Sequence, residues 1–380
     1  MNEANTKGPH VGVLSMQRVI NYGSFLQAYA LRQLLLRNGA QTVSFIDIKP
    51  GRQLNQQKVK SRFRTFSEDL LHAFIRGKIV SFFKLKFFNE RLRFTISSNW
   101  PLLKLDSPEH KSFDLAVIGS DEVFNCCQPS AWGYSTQLLG DIPPSVASRV
   151  VSFAASFGFT DIELMRQYGV LDETAKHLSS IDAISVRDEN SRAIIKQLTY
   201  REPEVHLDPV LVYGYQQEFS DSSGEAHSGD YLVVYTYAGR ITDPNEIKAI
   251  KAYARKRKLK IHCIFCNYNW ADKIVIPETP FEVLHYFRNA SCIITDTFHG
   301  TIFSIITQSN FATFIRPSNR NKLSSLLGGL GLQNRAAERP EFLEAILAVR
   351  PDYEEADRIL GEARAKANAY LKKCITLCNS

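Results

Sequence analysis

No stretch of 18 consecutive apolar residues occurs in the chain, which argues against a transmembrane helix. The opening residues, MNEANTKGPHVGVLSM, lack a basic region followed by an apolar one, so no secretory leader is expected. Walker, H-E-x-x-H, G-x-S-x-G and EF-hand patterns are missing too, which removes the usual signatures of P-loop nucleotidases, zincins, serine hydrolases and calcium sensors. Cysteine is sparse and odd in number, seven in all, and is read as reduced thiol in a cytoplasm. Cys263 and Cys266 have C-x-x-C spacing, but no second pair stands at a zinc-site distance, and no metal site is expected.

What remains is a soluble globular composition, 44% hydrophobic and 22% charged. At 380 residues the chain is too long for one ordinary core and suits two domains. The net charge of +7 is local. Residues 49–93 hold twelve Lys or Arg against Glu68, Asp69 and Glu90, so this segment alone exceeds the whole-chain excess. Within it, residues 74–94 (FIRGKIVSFFKLKFFNERLRF) interleave apolar side chains with six cations, as in one or two amphipathic helices. Three readings compete: a solvated charged face, an anionic membrane surface, and a nucleic acid. No nucleic-acid module is recognisable, so no nucleic-acid partner is expected.

The stretch at residues 292–306, CIITDTFHGTIFSII, predicts a buried strand over 292–295, a polar elbow, and an apolar helix from Thr301. Such an elbow presents its groups at the carboxyl edge of the sheet, where open α/β sheets bind ligands. The N–H groups of Gly300 and Thr301 at the helix start would suit a phosphate or carboxylate. His299 beside them can give or take a proton near neutral pH. Thr297 is either a plain helix cap or a ligand contact.

Earlier in the chain, residues 10–16 predict a strand, Asn21-Tyr22-Gly23-Ser24 a turn, residues up to Gly39 a helix, and 41–48 a second strand. The turn is either a simple cap or a loop facing the cleft. Residues 113–119 (FDLAVIG) predict a strand leading into Ser120, Asp121 and Glu122, where Asp121 is either a base or positioner, or a cap. Residues 149–156 predict a strand, 162–180 one helix, and 183–186 another strand. Arg187 would then point from the sheet edge toward the cleft, where its planar fork suits an anion, or pair with its acidic neighbours on the surface. Asp208 either caps the short strand before it or reaches the cleft. Residues 220–230 (SDSSGEAHSGD) form a linker. Alternating strands and helices follow, with a long amphipathic helix over 352–377.

These pieces together resemble the polysaccharide pyruvyl transferase family. The matching stretches are NYGSFLQAYAL, DLAVIGSDEVFN, VVSFAASFG, AISVRDENS, HLDPVL and TDTFHGTIFSIITQSNF, in the family's order over residues 11–314. The resemblance implies two Rossmann-like domains facing a central cleft, similar to B-type glycosyltransferases. The expected division is 1–220, carrying the basic insertion at about 50–95, then 230–350, with 351–380 packing back on the first domain. It implies a donor, phosphoenolpyruvate, whose enolpyruvyl group moves to a sugar as a pyruvate ketal. No metal or redox cofactor is expected. His299 and Asp121 are the expected catalytic groups. Arg187, Gly300, Thr301, Thr297, Ser120, Asn21, Gly23 and Ser24 are the expected substrate contacts. Some branches carry an Arg where this chain has Thr297, so the second cation is expected from Arg316, with Arg320 and Lys322 as alternatives. Many relatives have an amide and a Trp after the Asp of the middle motif; here Glu122, Val123 and Phe124 follow Asp121.

The expected setting is the cytoplasm, at the inner face of the membrane if the basic segment binds lipid, with a lipid-linked or nucleotide-linked acceptor. Two rival functions share the fold: a nucleotide-sugar glycosyltransferase and a non-catalytic glycan-assembly protein.

Overall fold

The computed structural model describes residues 8–54, 79–105, 112–220 and 229–379. Most of the basic segment and most of the 220–230 linker lie outside the described residues. Two parallel sheets of six strands organise the rest. The first contains β1 (His10–Leu14), β2 (Thr42–Phe45), β3 (Phe113–Asp121), β4 (Ala147–Ala155), β5 (Ser185–Val186) and β6 (Glu204–Val205), in the order β2-β1-β3-β4-β5-β6. The second contains β7 (Gly229–Tyr235), β8 (Lys260–Ile264), β9 (Lys273–Val275), β10 (Ala290–Thr295), β11 (Phe311–Phe314) and β12 (Ala336–Ala337), in the order β12-β11-β10-β7-β8-β9.

The helices of the first half are α1 (Tyr22–Arg37), α2 (Ile79–Ser98), α3 (Ile162–Gln167), α4 (Leu171–Ser179), α5 (Glu189–Thr199), α6 (Pro209–Tyr213) and α7 (Gln216–Ser220). Those of the second are α8 (Pro244–Arg257), α9 (Pro280–Asn289), α10 (Phe298–Ile306), α11 (Arg320–Gly329), α12 (Leu343–Ala348) and the terminal α13 (Glu354–Thr376). This is the α/β class that the alternating sequence pattern predicts.

Strand order reverses once in each sheet, between β1 and β3 and between β7 and β10. Ligands of open α/β sheets bind beyond the carboxyl ends of strands at such points. The two reversals therefore nominate four loops, those after β1, β3, β7 and β10, before any side chain is considered.

Helix α1 explains how the halves meet. Its apolar residues run round nearly the whole helix, with Tyr22, Phe25, Leu26, Ala28 and Leu31 fully buried. A helix apolar on all sides must be covered on all sides. It packs on β2 and β3 of its own sheet, and also on α9 and on α13. Helix α13 returns to the first sheet: Tyr370 Oη donates to the Ser152 carbonyl at 2.9 Å, and Arg364 Nε to the Leu211 carbonyl at 2.9 Å.

Three local expectations are corrected. The helix predicted over 162–180 is two, α3 and α4, because Gly169 between them adopts φ +66°, a left-handed geometry that ends a helix. The first crossover helix starts at Tyr22, so Gly23 and Ser24 belong to its first turn, and Asn21 caps it by accepting from Gly23 N–H at 2.7 Å. The helix after β10 starts at Phe298, not Thr301, which places His299 and Gly300 inside the first turn.

The seam under α13 holds a buried imidazole. His206 stacks on Phe153, and its ring centre lies 4.9 Å from that of Tyr370. Burial, with repulsion from Lys366, pulls its pKa down to about 4, although the Glu204 carboxylate stands 3.3 Å from Nε2. A histidine depressed by folding stabilises fully above its unfolded pKa of about 6.5, and that contribution is lost as pH falls toward the folded value. Urea midpoints of the wild type should therefore drop between pH 6.5 and 4 more steeply than those of His206→Phe. Parallel pH profiles for the two proteins would show that His206 is not the titrating group.

Candidate active site

The four nominated loops enclose a cleft of about 470 Å³ that draws on both sheets. Asn21 and Ser24 come from the β1 side, Asp121 from the end of β3, Tyr237 and Arg240 from the loop after β7, and Thr297, Phe298 and His299 from the β10 elbow. Arg187 enters from the end of β5, and Lys322 from α11.

The polar centre is built around Asp208, whose side chain is fully buried. Its Oδ1 accepts from Val210 N–H at 3.0 Å and so caps α6. Its Oδ2 accepts from Arg187 Nη1 at 3.0 Å and lies 3.7 Å from His299 Nε2. Neither expectation for Asp208 holds as stated: it caps the helix after it and not the strand before it, and it does not itself line the cleft but steadies Arg187 and His299, which do. Arg187 Nη1 also stands 3.8 Å from Asp121 Oδ1, and the guanidinium lies over the Phe298 ring at 4.3 Å. Ser24 Oγ donates to Asp121 Oδ2 at 3.1 Å.

The charges follow from these distances. Burial pulls the His299 pKa down; Asp208 and Asp121 pull it up, and the result is below the ordinary value. The ring is therefore neutral at pH 7 when the cleft holds no anion. Burial alone would raise the Asp121 carboxyl. His299 when charged, Arg187, Lys322 and the Ser24 hydroxyl outweigh it and hold the group below the usual carboxylate range. Asp121 is thus an ionised carboxylate that already has a hydroxyl bound to it. It sits at φ +74°, a left-handed geometry uncommon outside glycine.

His299 and α1 meet closely. A Cβ added to Gly23 would lie 2.3 Å from His299 Cγ and 2.4 Å from Nδ1. Glycine is required at 23 so that the ring of the second half can rest on the first helix of the first. Asn21 Nδ2 donates to Tyr237 Oη at 2.9 Å and ties the same two loops together.

Several expected contacts are placed elsewhere. Gly300 N–H donates to Thr297 Oγ1 at 2.9 Å, and Thr301 N–H to the Thr297 carbonyl at 3.1 Å, so the helix cap uses the N–H groups expected to hold an anion. Gly300 is glycine for packing, since a Cβ there would lie 2.2 Å from Thr295 Oγ1. Ser120 is fully buried and donates to the Ala154 carbonyl at 2.8 Å, so it supports the strand and does not line the cleft. Arg316 is committed to both oxygens of Glu246 and to Asp296 Oδ2, so it is no spare cation. Arg320 pairs with Glu338. Of the three cations considered, Lys322 lines the cleft, 2.6 Å from Glu122 Oε1. Arg240 was missed, yet it follows β7 as Asn21 follows β1, and the carboxyl-edge rule applied to the second sheet would have found it.

The cleft at the switch points of the two facing α/β sheets thus brings together His299, the carboxylates Asp121 and Glu122, and the cations Arg187, Arg240 and Lys322, groups able to move a proton and to meet a charged ligand. The chain belongs to the polysaccharide pyruvyl transferase family, whose model matches residues 21–315. That span includes Asp121, Arg187, Asp208, Arg240 and His299, and ends before Lys322.

No curated protein matches the sequence. Among solved structures, the chain is similar to Arabidopsis thaliana UGT89C1 complexed with quercetin (13% identity, 98% of this chain, 100% of that one, TM-score 0.47). It is similar to the UDP-GlcNAc 2-epimerase of Methanocaldococcus jannaschii (11% identity, 93% and 98%, TM-score 0.46) and to the trehalose-6-phosphate synthase OtsA (11%, 97% and 95%, TM-score 0.42).

Arg187→Ala should leave the Asp208 carboxylate buried without its cation and cost about 3–5 kcal/mol of stability. Adding Asp208→Asn should restore part of that loss in chemical denaturation. If the single variant is as stable as the wild type, the buried pair is not the structural anchor described.

Proposed function

We propose that the protein transfers the enolpyruvyl group of phosphoenolpyruvate to a sugar of a surface-polysaccharide precursor, forming a pyruvate ketal and releasing phosphate. The observation that carries this reading is the convergence of His299, Asp121 and the cations Arg187, Arg240 and Lys322 on one cleft. A donor with a phosphate and a carboxylate requires cations. Ketal formation requires an acid toward the donor methylene and a base toward the hydroxyls.

In this mechanism the proton on His299 passes to the methylene carbon, leaving the central carbon electrophilic. A sugar hydroxyl attacks that carbon and gives up its proton toward Asp121. Phosphate leaves and takes the proton held at Asp121, and the second hydroxyl closes the ring as it passes its own proton to His299, now neutral, which resets the acid. Because His299 rests neutral, this order begins only once the ring has taken up a proton. A bound phosphate and carboxylate favour the charged ring, so the donor itself promotes protonation of its acid.

The first experiment is phosphate release from phosphoenolpyruvate with a panel of free, nucleotide-linked and lipid-linked sugars, joined to mass spectrometry of the adduct. Acceptor-dependent release with an acid-labile ketal supports the reading. Stabilisation by nucleotide sugars with none by phosphoenolpyruvate would move the chain to glycosyl transfer. His299→Ala should lower kcat by about a hundredfold or more, the scale of a lost acid–base group. The wild-type kcat/KM should fall as pH rises through a value below about 6.5, because the free enzyme must hold the proton. A profile flat over that range would remove His299 as the acid.

A lipid-linked acceptor suits a second feature. On α2, Phe88, Leu92 and Ile96 are buried, while Phe87 (68% exposed) and Phe94 (71%) lie two turns apart on the opposite face, with exposed Arg91 and Arg93 nearby. Aromatics beside cations are the chemistry of an anionic membrane surface. Among the described residues no helix is long and apolar enough to cross a membrane, so the contact would be peripheral. The protein should float with phosphatidylglycerol vesicles, and Phe87→Ser/Phe94→Ser should remain in the dense fraction. No flotation of the wild type would end the membrane reading.

A further inference from the structure

Beside the central cleft, at the carboxyl edge of the first sheet, lies a second hollow of about 290 Å³. Gln17, Arg18, Asp47 and Trp132 line it, and Trp132 also lines the central cleft. The two spaces share one aromatic wall.

This hollow is held in place by its own bonds. Gln17 Oε1 accepts from Ser15 N–H at 3.1 Å, and its Nε2 donates to the Ile46 carbonyl at 3.1 Å, joining the loops after β1 and β2. The Trp132 carbonyl accepts from Gly51 N–H at 2.7 Å, and the Arg52 carbonyl from Tyr134 N–H at 2.8 Å, joining the loops after β2 and β3. A Cβ at Gly51 would lie 1.7 Å from the Tyr134 carbonyl oxygen, so this seam admits only glycine. The backbone that carries Trp132 is thereby held in place, and its partly buried ring packs against the first-sheet core.

The charge here differs from that of the central cleft. Arg18 faces Asp47 with Nε–Oδ1 at 2.7 Å and Nη2–Oδ2 at 3.4 Å. The pair is neutral overall, which gives an anion no net attraction. It still offers unused guanidinium hydrogens and carboxylate lone pairs in a planar array. An aromatic wall with a few placed polar groups suits a neutral, polyhydroxylated ring: its C–H face lies on the indole and its hydroxyls meet the fork.

We propose that this hollow is the acceptor subsite, taking one neutral hexose or N-acetylhexosamine ring with Trp132 as the stacking face and Arg18–Asp47 as the hydroxyl clamp. This rests on the pyruvyl-transfer reading: the cationic cleft holds the donor, and the shared wall brings the acceptor alongside it. Trp132 and Asp47 select the acceptor and take no part in proton transfer.

Saturation-transfer NMR on the full chain tests this, with the methyl glycosides of glucose, galactose, mannose and N-acetylglucosamine as probes. At least one should bind the wild type and His299→Ala equally. The same sugar should bind Trp132→Ala and Asp47→Ala about tenfold more weakly, the scale of one lost stacking or clamping contact. Asp47 is largely exposed, so Asp47→Ala guards against misfolding of Trp132→Ala. Binding of no probe to the wild type, or equal binding to all four proteins, overturns the subsite. Phosphate release separates the two ideas. Sugar binding that depends on Trp132, without turnover of phosphoenolpyruvate, keeps the subsite and removes the donor. Transfer with an unchanged acceptor KM in Trp132→Ala keeps the donor and removes the subsite.

Discussion

A buried carboxylate is intolerable without partners, and Asp208 makes that constraint the organiser of the site. Its two oxygens are spent on a helix cap, on Arg187 and on the approach of His299. Desolvating the carboxylate is offset only if the guanidinium stays within reach, so Arg187 cannot swing out to the surface. Arg187 in turn lies over Phe298, one residue before His299. One ion pair thus locates Arg187 and His299 together at the cleft.

The same group of residues ties the two sheets together. Asp208, Arg187 and Asp121 belong to the first half, and His299, Phe298 and Lys322 to the second. The contacts between them are polar or aromatic, and beside them His299 rests on Gly23, where no larger residue fits. Helix α1 supplies the apolar part of that interface and α13 covers it from the far side. Stability and site geometry are therefore coupled: a change that loosens the halves also moves His299 relative to Asp121.

Much of this was legible in the sequence because strand-then-elbow patterns mark carboxyl edges. Asn21, Ser24, Asp121, Arg187, Thr297 and His299 were each found that way, and each lines the cleft. The failures have physical causes. A helix start cannot be fixed to within three residues when Thr297 and Thr301 are both able to cap, and the choice of Thr297 is what consumed the N–H groups of Gly300 and Thr301. Arg316 looked available because its partner Glu246 lies 70 residues away in sequence, a distance at which no local pattern shows a pair. Trp132 carries no motif at all; only the packing of three loops reveals that it borders two hollows.

The electrostatics of the cleft constrain any acid step that runs through His299. Burial and the nearby cations keep the ring neutral, while Asp208 and Asp121 bias it toward charge without prevailing. In the reading proposed here, an incoming dianion within about 4–6 Å would push the ring back toward charge. Water entering without the donor meets a neutral imidazole and an already hydrogen-bonded Asp121. In the reading proposed here, the cations do two opposed things: they depress the histidine while the cleft is empty, and they recruit the anion that reverses that depression.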